Sequence, residues 1–91
     1  MKAVFTVSAL EDLDRIRRYI AANYPELSAL VGKRIHAVIG RIVAYPESAR
    51  TVAGWSHVHV VPVIRYPYKI FYRIIGETVE ILHIHHTSRE R

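Results

Sequence analysis

The sequence contains no cysteine, which excludes a disulfide framework and any metal site built on thiolate ligands. It also lacks an apolar run long enough to cross a membrane. A short apolar stretch follows Lys2, but Glu11, Asp12 and Asp14 interrupt it, so it is too short for the core of a signal peptide. We therefore expect a soluble, unexported protein, and the missing cysteines are consistent with a reducing cytoplasm.

Length and charge narrow the class of protein further. Ninety-one residues leave room for one hydrophobic core, so we expect a single domain over residues 1–91. The net charge is +5, from 13 Lys and Arg against 8 Asp and Glu, and most of the cations are arginine. This surplus has two interpretations: it keeps the protein soluble, or it attracts a polyanionic partner such as nucleic acid or an acidic protein segment.

The first part of the chain predicts a strand and a helix. Residues 3–7 are β-prone, and Ser8 then provides an N-cap with Glu11 at the spacing of a capping box. The helix that follows has an apolar stripe and two acid–base pairs four residues apart. The stripe comprises Ala9, Leu13, Ile16 and Ile20, and the pairs are Glu11–Arg15 and Asp14–Arg18. Asn23-Tyr24-Pro25 ends this helix.

A second helix is expected from residue 26 to about residue 44, where Tyr45-Pro46 stops it. Its buried stripe comprises Val31, Ile35, Val38, Ile39 and Ile42. Two helices joined by so short a break form an antiparallel helical hairpin.

From residue 51 onward the pattern changes to strands. Residues 57–64 form the first, in which Pro62 indicates a sheet edge or a bulge. Arg65-Tyr66-Pro67 makes a corner, and residues 68–75 and 78–86 then form a hairpin around the two-residue turn Gly76-Glu77.

Pairing across that turn predicts the two faces of the hairpin. One face sets Ile74 against Val79, Tyr72 against Ile81 and Ile70 against His83. The other sets Arg73 against Glu80, Phe71 against Leu82 and Lys69 against Ile84. The resulting fold is α+β with the order β-αα-βββ, in which the helical hairpin covers the more apolar face of a small, mainly antiparallel sheet. We expect the other face to remain a broad, partly apolar surface carrying Lys69, Arg73 and His86.

Three segments of the chain resemble the RelE/ParE superfamily of toxins. Residues 65–73, RYPYKIFYR, are similar to its basic residue followed by Tyr-x-x-Phe-Tyr-Arg. Residues 79–89, VEILHIHHTSR, are similar to its Ile-Leu-x-Ile-x-His-x-x-Arg ending, and residues 9–20 match Ala-x-x-Asp-Leu-x-x-Ile-x-x-Tyr-Ile. The resemblance spans nearly the whole chain, and the superfamily shares the order β-αα-βββ.

The resemblance implies the toxin of a type II toxin–antitoxin pair, neutralised by a small antitoxin in a hetero-oligomer. ParE-like members poison DNA gyrase, whereas RelE-like members cut messenger RNA on the ribosome. The ending with His86 and Arg89 resembles the ParE branch, and residues 87–91 have no Tyr or His where several related nucleases place one. We therefore expect a gyrase inhibitor that acts by binding rather than by catalysis, without a cofactor. An inactive relic that only binds its antitoxin is a third reading.

Two sets of candidate residues follow from the resemblance. For binding to a target or an antitoxin they are Arg65, Lys69, Phe71, Arg73, His86 and Arg89. If the chain is instead a ribosome-dependent endoribonuclease, cations must hold the phosphate while imidazoles move protons. The candidates are then Arg65, Lys69 and Arg73 for the phosphate, with His83, His85 or His86 as proton carriers.

The pairs His57-x-His59 and His83-x-His85 place imidazoles on single strand faces, as a metal site requires. No acidic residue has an obvious ligand spacing beside them, so we expect ordinary sheet histidines and no metal site. His59 stands where relatives often carry Arg, which leaves its role open.

Overall fold

Helix α1 (Val7–Asn23) begins directly after strand β1 (Lys2–Phe5) in the computed structural model, which describes residues 1–87. Its N-cap is Thr6, whose Oγ1 accepts a hydrogen bond from the Ala9 amide at 3.0 Å. The expected N-cap, Ser8, is wrong because the helix has already begun there. The Thr6 hydroxyl also donates to the Leu82 carbonyl at 3.0 Å, so the cap is fixed to the sheet as well as to the helix.

The helical hairpin is confirmed. A 3₁₀ turn (Pro25–Leu27) follows α1, and α2 (Ser28–Ala44) follows the turn, so the regular helix starts slightly later than expected. Of the expected ion pairs on α1, Asp14–Arg18 forms at 3.1 Å. Arg15 instead contacts Asp12 at 3.0 Å, which corrects the expected pair with Glu11.

Strands β2 (His59–Val63), β3 (Tyr68–Ile75) and β4 (Thr78–His86) join β1 in one sheet of order β1-β4-β3-β2. β1 runs parallel to β4, and the other two pairings are antiparallel. β2 is an edge strand, as Pro62 indicated, since an edge tolerates the missing N–H. The turn at Gly76-Glu77 is also confirmed, with Gly76 at a φ of +58° that suits glycine.

The predicted register between β3 and β4 is confirmed near this turn, but it is wrong further from the turn. The pairs Arg73–Glu80 and Tyr72–Ile81 are present, but a register shift between Phe71 and Tyr72 makes Leu82 an extra residue on β4. Beyond this bulge the partners are displaced by one residue from the expected ones: Phe71 opposes His83, Ile70 opposes Ile84, and Lys69 opposes His85. A displacement by one residue exchanges the two faces of a strand.

The main core lies between the helices and the sheet. Its largest fully buried side chains are Tyr72, Ile70, Ile81, Val63 and Val79. Both helical stripes contribute to it, with Ile39 and Leu13 only partly buried. Ile84 belongs to this core at 3% exposure, because the bulge turns it inward in place of His83. No helix within residues 1–87 is long and apolar enough to cross a membrane.

The second face of the sheet is partly covered, which corrects the expectation of a broad open surface. Phe71 is only 4% exposed and forms a small cluster with Val58 and Val60. The Trp55 ring packs over Phe71, with ring centroids 5.6 Å apart. Trp55 belongs to the segment between α2 and β2. A hydrogen bond from the Val60 amide of β2 to the Arg50 carbonyl of this segment, at 3.0 Å, holds the segment against the strand.

Candidate functional site

Asp12 is a buried carboxylate at the junction of α1 and β4. The side chain of Asp12 joins these elements because Oδ2 accepts the backbone N–H of Ile84 at 3.0 Å. The same oxygen lies 3.3 Å from Nδ1 of His83, and Oδ1 lies 3.0 Å from Nη1 of Arg15. At 8% exposure the carboxylate needs such partners, since an unpaired buried charge is costly.

The topology explains why a carboxylate is required there. β1 pairs with β4 only as far as Phe5 opposite Ile81, so the edge of β4 beyond that point has no neighbouring strand. The Thr6 hydroxyl satisfies the Leu82 carbonyl on this edge, and Asp12 satisfies the Ile84 amide. The first turns of α1 therefore complete the hydrogen bonding of the sheet edge where β1 stops.

An open cleft of about 520 Å³ lies between α1 and the C-terminal half of β4. Ile16 and Ile84 line its apolar part, and the polar lining is Asp12, Arg15, Tyr19, Tyr68, His85 and His86. The His86 and Tyr68 rings meet edge to face with centroids 5.5 Å apart. His86 therefore lies on the helix side of the sheet, which corrects its expected place beside Lys69 and Arg73 on the other face.

The other two imidazoles of β4 lie side by side. The rings of His83 and His85 have centroids 4.9 Å apart. Trp55 lies 6.3 Å from His83, and Phe71 lies 5.2 Å from His85, again between ring centroids. Asp12, His83 and His85 each offer a ligand atom, and these atoms all lie within 4.8 Å of one another. The premise that no carboxylate accompanies this histidine pair is therefore wrong.

Within residues 1–87, none of the candidate cations lines the cleft between α1 and β4. Arg73 is paired with Glu80, with Nε and Oε1 2.7 Å apart, as the sequence predicted. Lys69 lies four residues before Arg73 on β3, and four residues of a strand span about 13 Å. Arg65 lies in the turn before β3 with a φ of +80°. Lys69 opposes His85 in the register of β3 and β4. Arg89 lies outside the described residues.

Two other expected residues have structural roles. Phe71, proposed as a binding residue, is buried under Trp55 and cannot contact a partner in this conformation. His59 is 9% exposed, its Nδ1 lies 2.9 Å from the Ala49 carbonyl oxygen, and its ring stacks on Tyr72 at 5.0 Å. The Tyr72 hydroxyl donates to the Pro46 carbonyl at 2.6 Å. These contacts hold the chain after α2 against the sheet, which answers the question that His59 left open.

A second open groove, of about 620 Å³, lies between α1 and α2. Its floor is mainly apolar and includes Phe5, Leu13, Ile20, Val31, Ile35 and Ile39. Its polar lining includes Arg17, His36 and the Asp14–Arg18 ion pair. The sequence leaves Leu10, Leu13 and Ile16 open to a partial role in a binding groove, with hydrophobic core as the default, and predicts that the arginines of α1 lie on its solvated side. Leu13, Arg17 and Arg18 line this groove, whereas Ile16 belongs to the core. One signal for the groove is present in the sequence, namely the width of the two apolar stripes. Leu13 and Ile39 belong to these stripes, and the structure leaves both only partly buried.

Comparison with known proteins identifies this architecture. The family model described as the ParE toxin of the type II toxin–antitoxin system parDE matches residues 3–91. The toxin RelE2 of Caulobacter vibrioides is 33% identical over 89 residues, which cover 97% of this chain and 97% of that protein.

Two solved structures share the fold. The chromosomal ParDE toxin–antitoxin system from P. aeruginosa matches with a TM-score of 0.80 and 24% identity, covering 94% of this chain and 95% of that chain. The YoeB/ParE toxin from Agrobacterium tumefaciens matches with a TM-score of 0.67 and 15% identity, covering 94% and 98%. The resemblance noted from the sequence and the β-αα-βββ order are thereby confirmed.

Proposed function

The chain belongs to the ParE toxin family of type II toxin–antitoxin systems, and we propose that it arrests growth by binding DNA gyrase and is neutralised by a cognate antitoxin. The observation that carries the proposal is the match to the ParE family model over residues 3–91. Gyrase inhibition is what the resemblance to the ParE branch implies for a chain of this family.

The placement of the cations supports binding over catalysis. Cleavage of RNA requires a phosphate clamp and a proton carrier at one point. Arg73 is engaged by Glu80 at 2.7 Å, and Arg65 lies in the turn at the other end of β3. A clamp made of Arg65, Lys69 and Arg73 would require these side chains to meet over the length of a strand. A target protein, by contrast, can contact cations that are spread along a surface.

A second candidate function is ribosome-dependent cleavage of messenger RNA, and one observation favours it. Asp12 lies 3.3 Å from Nδ1 of His83, so it can hold that ring in the tautomer whose Nε2 is free to accept a proton. His85 lies beside it with ring centroids 4.9 Å apart, and Lys69 opposes His85 across the strand pair. The name of the relative RelE2 points in the same direction.

Purified gyrase and purified ribosomes distinguish the two functions. We expect the chain to inhibit supercoiling and to increase gyrase-mediated DNA cleavage, while messenger RNA stays intact with ribosomes present. His83→Gln, His85→Gln and His86→Gln should each retain most of the gyrase effect, because none of them is needed to move a proton. Removing a general acid or base costs about 100- to 10,000-fold. Ribosome-dependent cleavage that one of these variants abolishes would establish the second function instead.

We place the antitoxin in the groove between α1 and α2. The apolar floor suits the apolar face of a helix. Arg17 on its lining, and Arg18 where an acidic partner replaces its exposed contact with Asp14, suit acidic residues beside that face. Charge favours the same partner, since the chain carries a net charge of +5. Phe71 and Ile84 are too buried to form the sheet-face surface that the sequence suggested for this role.

Matched charge reversals test the location. Arg17→Glu with Arg18→Glu should weaken copurification of the chain with the antitoxin encoded beside it. Arg41→Glu with Arg50→Glu makes the same change of charge at exposed positions that do not line the groove, and should leave the complex intact. Equal losses in both double variants would show that only overall charge matters, and would argue against the groove.

A further inference from the structure

We propose that Asp12, His83 and His85 form a binding site for a divalent transition-metal ion of the Zn²⁺ type. The proposed metal site does not depend on the target of the toxin. Its test is therefore independent of the test for gyrase inhibition. Each of the three residues offers one ligand atom, and all three atoms lie within 4.8 Å of one another. The fold brings them together from positions 71 residues apart in the chain.

The distance between Asp12 and His83 already suits a metal ion. Zinc binds imidazole nitrogen and carboxylate oxygen at about 2.0–2.1 Å, so two ligands of a tetrahedral site lie about 3.3 Å apart. Oδ2 of Asp12 and Nδ1 of His83 are 3.3 Å apart. This separation is longer than the usual N–H···O hydrogen bond of about 2.9–3.0 Å. A metal ion between the two atoms would therefore need little change in either side chain.

His85 can complete the site because it is exposed and lies two residues after His83 on the same strand. One ligand atom from each of the three residues lies within 4.8 Å of the others, so a displacement on the order of 1.5 Å is needed to reach the tetrahedral separation of about 3.3 Å. A change in the two side-chain torsions of His85 would cover that distance and would alter the contacts that its ring makes. The Phe71 ring, with its centroid 5.2 Å from that of His85, limits rotation away from the site.

The other contacts of Asp12 orient the carboxylate. The Ile84 amide donates to Oδ2 at 3.0 Å, and Arg15 contacts Oδ1 at 3.0 Å. The two oxygens of a carboxylate together accept about four hydrogen bonds or metal bonds, so Oδ2 can hold the Ile84 N–H and still face an ion. Contacts of this kind to the outer side of a ligand are typical of metal sites.

The set of donors selects the class of ion. Two imidazoles and one carboxylate suit Zn²⁺ and its neighbours Ni²⁺ and Cu²⁺, whereas Mg²⁺ and Ca²⁺ prefer sites made only of oxygen. Three protein ligands leave the fourth zinc position open to water or to a group from a partner. Because the ligands come from α1 and β4, the ion would tie the first helix to the last strand of the sheet.

Zinc titration of the purified full-length chain, prepared without a polyhistidine tag, tests the site. We expect saturable binding of one Zn²⁺ per chain by calorimetry and a melting temperature that rises with zinc concentration, since an ion held only by the folded state stabilises it. MgCl₂ at the same concentrations should produce neither effect. Long-range ¹H–¹⁵N spectra should show zinc shifting the ring nitrogens of His83 and His85 and no others.

Single substitutions assign the ligands. His85→Gln is the main variant, since His85 is exposed and we expect its replacement to preserve the fold. His83→Gln is the second. Loss of a contact to the outer side of a metal ligand typically lowers metal affinity by about 10- to 100-fold. Loss of a ligand itself should lower the zinc affinity by at least as much. His57→Gln removes an exposed histidine that precedes β2 and should leave the zinc affinity unchanged. Absence of saturable binding, or an affinity that neither His83→Gln nor His85→Gln reduces, would overturn the proposal.

Discussion

Replacing Asp12 by alanine tests how α1 is attached to the sheet. The substitution removes the acceptor of the Ile84 amide, which Asp12 binds at 3.0 Å in a buried position. A buried N–H without a partner costs about 1–3 kcal/mol. The contact with Arg15 adds at most about 1 kcal/mol, because that side chain is 60% exposed and screened by water. We therefore expect Asp12→Ala to lower the free energy of unfolding by about 2–3 kcal/mol, out of the total of about 5–15 kcal/mol usual for a domain.

Urea unfolding followed by circular dichroism measures this loss, and hydrogen exchange locates it. The Ile84 amide should exchange faster in Asp12→Ala, while amides in the middle of β3 should change only with global stability. Asp12→Asn keeps an oxygen that can accept the Ile84 N–H, so we expect it to recover about half of the lost stability. Asp14→Ala is the matched control, since the Asp14–Arg18 pair is exposed on both sides and worth little. If Asp12→Ala unfolds at the same urea concentration as the unmodified chain, the proposed attachment is refuted.

Three further substitutions, one of them with a matched control, test other buried side chains. Ile16→Ala should cost about 2–5 kcal/mol in urea unfolding because Ile16 is 8% exposed and belongs to the main core, whereas Ile75→Ala, at a position 49% exposed, should cost far less. Burial, and then the charge of Glu47, raises the pKa of Tyr72 above its usual value of 10.0. The folded state thus favours the neutral phenol, and the stability this contributes is complete below pH 10 and is lost as the pH rises through the folded pKa. Melting in alkaline buffers should accordingly show a weaker decline for Tyr72→Phe than for the unmodified chain. Trp55→Ala should increase binding of a hydrophobic dye by uncovering the sheet face, and unchanged dye binding would mean that this ring does not cover it.

The order of the elements follows from local patterns, which is why the sequence predicts it. Each helix has its own apolar stripe and a proline beyond its end, so its existence and its C-terminal end depend on neighbouring residues alone. The hairpin of β3 and β4 is equally local near its turn, where Gly76 permits a positive φ and Arg73 opposes Glu80. Pairings close to a two-residue turn are fixed by the turn itself.

The bulge shows where local patterns stop being informative. Leu82 and Ile84 are both apolar, so hydrophobic alternation accepts either of them on the core face. Only the packing of the complete sheet selects Ile84, which is 3% exposed, and leaves Leu82 as the extra residue. A residue inserted into one strand exchanges the faces of everything beyond it. One unpredicted residue therefore misplaced His83 and His86 together.

The sequence contains a signal for the role of Asp12 that hydrophobic periodicity alone does not explain. It lies within the apolar stripe of α1, three residues after Ala9 and four before Ile16, and such positions share one face of a helix. A carboxylate on that face must find a partner in the fold, because burying it unpaired is too costly. The sequence thus predicts that Asp12 has a hydrogen-bond partner. It cannot identify that partner, because Ile84 is 72 residues away in the chain and His83 is 71 residues away. The bulge turns Ile84 inward and moves His83 off the core face, and in this arrangement Asp12 accepts the Ile84 amide at 3.0 Å and lies 3.3 Å from Nδ1 of His83. The attachment of α1, the nuclease alternative and the zinc site all depend on that one irregularity in β4.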